Sequence, residues 1–215
     1  MGFAFIIFGF LSHQTILSHW FIIVDICILL GITTKIMDQL IDDINLKSYR
    51  LWVIPLAVFI PGSMAYLALT EGPVIGMVIG TVIGLIIAGK IDHPAYIASI
   101  ILFIALIFCT FVLGFIHIEV ATFYILPVAA TGSFLDEFGH ERWRSTNKTV
   151  TFIFQHRFFL KTFAFFGVVF GFALPIHFIG FLCFDICYDL VDTTSRSEEK
   201  SKQYVPARLS SSGMK

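Results

Sequence analysis

The chain has 215 residues, 57% of them apolar and 16% aromatic, with a formal net charge of −1. Only 13% are charged, about half the share of roughly 25% in soluble domains, and the charges are segregated between long apolar runs. This excludes an ordinary soluble domain, and the near-zero net charge gives no electrostatic footprint for nucleic acid. The expected class is all-α: a polytopic transmembrane helical bundle forming one domain over residues 1–192.

Residues 2–15 are apolar, with neither a basic n-region nor a small-residue cleavage site, and read as retained membrane segment. The first strong span, 16–34, carries Asp25 within "WFIIVDICILLG". A charge at that depth costs upward of about 2.5 kcal/mol, so this carboxylate is expected to be protonated, paired or facing a cavity. Lys35 and "DQLIDD" follow, placing Asp38 and Asp42 on one helix face. A second span covers 51–69.

The third span, 73–89, is striped with Gly72, Gly76, Gly80 and Gly84. Small residues at this spacing let backbones approach where lipid supplies little hydrophobic drive. The stripe reads as a glycine-zipper face, packed within the chain or across a homodimer. It ends in Lys90, Asp92 and His93. Gly84-x4-Gly89-Lys90 imitates a phosphate-binding loop, but Ile91 stands where Mg²⁺ binding needs Ser or Thr, and no soluble strand precedes it.

Spans four and five cover 97–118 and 120–135, and Asp136, Glu137, His140, Glu141 and Arg142 follow. Beyond them, residues 162–195 are too few for two full spans of about 20 residues each with a turn. A tight or re-entrant hairpin over 161–190, broken near Pro175, is therefore expected, with one long kinked span as its rival. The total is about six to seven membrane segments. The polar tail, 193–215, is expected to be disordered and cytoplasmic. Cys27, Cys109, Cys183 and Cys187 all lie in apolar segments and read as buried thiols, not a disulfide framework.

With alternating spans, Lys35, Lys47, Arg50, Lys90, Arg142, Arg144, Lys148, Arg157 and Lys161 share one face. The loops around Glu71 and Glu119 hold no lysine or arginine. The basic face is then cytoplasmic by the positive-inside rule, in a multi-pass protein of the cell membrane.

Acids converge on that face too. Asp38/Asp42, Asp136/His140 and Asp185/Asp189 are each four residues apart and share a helix face. Like charges so spaced repel by a few tenths of a kcal/mol in water and by more as they leave it. Either nearby bases or a metal must balance them. The oxygen-rich set Asp38, Asp42, Asp136, His140, Asp185 and Asp189 suits Mg²⁺ or another divalent cation. Lys35, Lys90 and Arg142 would neutralise phosphate. The plainer alternative is a set of solvated helix caps.

In their chemistry the acid clusters resemble the UbiA superfamily of intramembrane prenyltransferases, which hold Mg²⁺ and an isoprenoid diphosphate with two Asp-rich motifs. "DQLIDD" and "DICYDLVD" would stand for those motifs, although the first lacks the leading Asn-Asp and 215 residues cannot hold nine spans. "TKIMDQLIDD", "AGKIDHPAY", "SFLDEFGHE" and "FDICYDL" together also resemble a family of archaeal multi-pass membrane proteins. That likeness implies the multi-pass fold and no activity.

Three functions follow. One is a metal-dependent enzyme on a phosphate- or diphosphate-bearing membrane lipid, its catalytic residues unassigned. The others are a cation or proton transporter built on Asp25, and a structural or assembly protein. Acids meeting around one cytoplasm-facing cavity favour the first. Asp25 on a polar path through the bilayer favours the second, and neither arrangement favours the third.

Overall fold

A computed structural model describes residues 2–42, 51–115, 119–142 and 157–210. Among these lie seven helices and no strand: α1 (Gly2–Asp42), α2 (Val53–Thr70), α3 (Gly72–Ile87), α4 (Pro94–Val112), α5 (Val120–Arg142), α6 (Phe158–Val169) and α7 (Pro175–Ser210). Ser18–Asp42 of α1, α2 and α4 are long and apolar enough to cross a membrane, while α3 and α6 are shorter apolar helices. Large apolar side chains such as Ile54, Ile101, Phe108 and Phe123 point outward, as suits a molecule whose solvent is lipid.

Turn chemistry sets the helix ends. At the end of α3 the amide of Gly89 donates to the Ile86 carbonyl and that of Lys90 to Leu85, each at 3.0 Å. Gly89 has φ +72°, so this is a Schellman stop at a position glycine tolerates best. His93 then starts α4, its Nδ1 accepting from the Ala95 amide at 3.2 Å, and Pro94 fills the first helical position. The lysine and imidazole that close the glycine stripe thus mark one helix's end and the next one's start. α4 ends at Val112, short of the expected 118, because Gly114 repeats the device with φ +74°. The break between α6 and α7 falls at 170–174, and α7 continues as helix through the polar segment 193–210.

The helices pack as three close pairs, α3 on α5, α1 on α7 and α2 on α4, joined mainly through α1–α2 and α5–α6. A Cβ at Gly76 would stand 2.5 Å from the Thr122 carbonyl oxygen, and one at Gly84 equally near that of Ala130. Gly80 lies as tightly under the Leu126 carbonyl. The stripe therefore steps along the α5 backbone of the same chain. Gly80→Leu is expected to destabilise the fold by about 1–3 kcal/mol through overpacking. Chemical unfolding in detergent measures it, and an unchanged midpoint would argue against close α3–α5 contact. Between α1, α2 and α7 lies an apolar core of Ile23, Leu30, Met37, Ile60, Leu67 and Ile176.

Candidate functional site

Polar groups gather at the two ends of this core. At one end, Lys35 Nζ lies 3.0 Å from both Asp38 Oδ2 and Asp192 Oδ1. The Tyr96 hydroxyl donates to Asp38 Oδ1 at 2.7 Å and the Tyr188 hydroxyl to Oδ2 at 3.1 Å. Asp38 thus accepts from α1, α4 and α7 together. The Tyr188 ring also lies against two cations, with Lys35 Nζ 4.9 Å and the Arg157 guanidinium carbon 4.6 Å from its centroid, a favourable cation–π arrangement. Arg157 lies 3.8 Å and Lys161 2.5 Å from the carboxylate of Asp185, whose side chain is 2% exposed. The result is one continuous network of acids, cations and tyrosines across α1, α4, α7 and the start of α6.

Asp136 lies past the apolar part of α5 and serves α6. Its carboxylate accepts the Phe159 amide at 3.0 Å and the Leu160 amide at 2.8 Å. A helix's first amides lack internal partners and welcome an anion. Burial still pushes the carboxyl up to about 6, against the pull of those amides and of Arg157. A carboxyl raised in this way contributes stability that is full at low pH and lost as pH rises through about 6. Asp136→Asn is expected to flatten that slope between about pH 4 and 6, as read by thermal unfolding.

The expected single ligand set is thus replaced by separate pairings. Asp38 is taken by a cation and two phenols, Asp185 by two cations and Asp136 by amides: Asp38 faces α4 and α7, and the other two meet different groups at the start of α6. Asp42 lies exposed at the end of α1, Asp189 lies further along α7, and His140 is outside the described side chains. Among the described residues no three His, Cys, Asp or Glu side chains gather to hold a metal ion. Of the expected phosphate ligands, Lys35 is held by two carboxylates, Lys90 lies 3.9 Å from Glu137 Oε2, and Arg142 is exposed.

At the opposite end Glu71, in the turn between α2 and α3, joins two imidazoles. His19 Nε2 of α1 lies 2.8 Å from its Oε1, and His177 Nε2 of α7 lies 2.7 Å from its Oε2. His177 Nδ1 accepts the Leu174 amide at 3.2 Å, so the neutral ring's hydrogen is on Nε2 and is donated to Glu71. Nothing in the spacing of residues 19, 71 and 177 links them in the sequence, so this clasp is visible only in the fold. Beside it runs an apolar groove of about 480 Å³ between α3, α5, α6 and α7, lined by Met77, Tyr124, Val128, Phe163, Phe178 and others.

No protein-family model, curated protein or solved structure matches the chain.

Asp25 lies apart from both networks. It is exposed on the outer side of α1, beside Phe21 (63% exposed), Ile22 and Leu29. Among the described residues it makes no hydrogen bond or ion pair.

Proposed function

We propose that the protein is a membrane assembly subunit: a helical bundle clamped at both ends, which offers the outer face of α1 to another helix in the bilayer. The observation that supports this most directly is the outward position of Asp25. A lipid-facing carboxylate at that depth costs about 2.5–3.5 kcal/mol on insertion scales, and a neighbouring helix can remove much of that cost. By contrast the buried acids among the described residues, Asp136 and Asp185, have internal partners, which suits a scaffold. Among the described residues neither a shared acid-lined cavity nor a polar path through Asp25 adds support to the enzyme or transporter readings.

In this reading the Lys35 end faces the cytoplasm, by the positive-inside rule. The shorter helices are embedded beside the three long ones, with α6 and α7 as an entering and returning pair.

The full chain, extracted with its native lipid into polymer discs, is expected to run as a species larger than one 24.2 kDa chain. Asp25→Leu should release it as a folded single chain, since leucine suits a lipid-facing position. A wild-type chain that runs alone, or a complex unaffected by Asp25→Leu, would overturn the reading.

A further inference from the structure

The chemistry of the partner can be argued from what surrounds Asp25. Six residues separate it from His19 in one terminal network, and ten separate it from Lys35 in the other. At 1.5 Å per residue these are about 9 Å and 15 Å along α1, which puts Asp25 inside the apolar slab between the two polar ends. Among the described residues no cation is placed to serve it. Lys35, the nearest along α1, is shared by Asp38 and Asp192. Arg157 and Lys161 face Asp185, and His19 faces Glu71. A group from outside the chain would supply what the described residues do not.

Around Asp25 the exposed residues follow helical spacing: Phe21, Ile22, Asp25 and Leu29 lie on one stripe. Three of the four are large and apolar, without the small-residue pattern that lets two identical backbones close together. A parallel two-fold pairing of α1 with a second copy would set each patch against itself, bringing the Asp25 carboxylates of both copies together as like charges. The complement of this stripe is an apolar helix carrying one cation. In a medium of low dielectric constant a carboxylate and an ammonium or guanidinium attract far more strongly than in water, and each relieves the other's burial.

We propose that the outer face of α1 around Asp25 binds a transmembrane helix of another protein, one that carries a Lys or Arg at matching depth. This rests on the assembly reading and names its partner class.

The test uses the full chain reconstituted in phosphatidylcholine vesicles with synthetic Leu/Ala transmembrane peptides. One peptide carries a single lysine at the depth of Asp25, and its control has leucine there. Energy transfer between labelled chain and peptide reports association. The lysine peptide is expected to bind at least about tenfold more tightly than the control, a difference of about 1.4 kcal/mol. Asp25→Leu should erase the difference. Asp25→Lys should transfer the preference to a peptide bearing aspartate.

Equal binding of lysine and leucine peptides would overturn the partner class, as would a lysine preference that survives Asp25→Leu. Association of the chain with itself through Asp25 would overturn it in favour of a second copy. If the peptides fail while the native complex still dissociates on Asp25→Leu, the assembly reading stands and only the basic partner falls.

Discussion

Asp185→Ala is expected to cost about 3–5 kcal/mol of stability, the range for removing one partner from a buried ion pair. The carboxylate is 2% exposed and faces both Lys161 and Arg157. Alanine would leave those two cations beside each other at the start of α6 with their shared anion gone. The loss comes from stranded charge, so it should shrink when the charge goes too. Asp185→Leu combined with Lys161→Met should recover much of it, because buried pairs replaced by apolar residues are often neutral in stability. Unfolding of the detergent-solubilised chain measures both. If the double variant is no better than the single one, the stranded-charge account fails.

Asp38→Ala should have a comparable effect for a different reason. One carboxylate there satisfies the Tyr96 and Tyr188 hydroxyls as well as Lys35. Each buried donor left without an acceptor costs about 1–3 kcal/mol, and three donors depend on this residue. Lys35 keeps Asp192 at 3.0 Å, which limits the loss to about 3 kcal/mol. Tyr96→Phe removes one donor together with its need and should cost no more than about 1.5 kcal/mol. Because Tyr188 touches Asp38, Lys35 and Arg157, the Asp38 and Asp185 variants should be non-additive. A double-mutant cycle giving strictly additive losses would mean that two clusters, not one network, hold this end together.

Much of the helical layout could be read from the residues. Apolar runs bounded by glycine, proline and charge correspond to α2, α3 and α4, and the glycines of α3 form a contact face that could be located by spacing alone. The partners of the acids could not be read in the same way. Spacing of four residues tells which side chains share a face of one helix, and says nothing about which helix lies opposite. Spacing groups Asp136 with His140, yet Asp136 faces the amides of α6. Tyr96 and Tyr188 carried no signal, because a tyrosine in an apolar run is an ordinary core or interfacial residue until its hydroxyl is found against a carboxylate. Glu71, His19 and His177 carry no joint signal in the sequence for the same reason.

The α3–α5 ladder has a property that its tightness conceals. Gly76, Gly80 and Gly84 meet the carbonyls of residues 122, 126 and 130, so both sides repeat every four residues. A slide of one step, about 6 Å, would bring most of the glycines beneath another carbonyl of the same row. Such a ladder fixes the distance between the helices better than it fixes their alignment. Alignment is helped by the hydroxyls near its two ends, Thr122 donating to the Gly72 carbonyl at 3.3 Å and Ser133 to that of Thr81 at 3.2 Å. These two bonds thus add register information that the repeating glycine contacts of this closely packed pair do not supply.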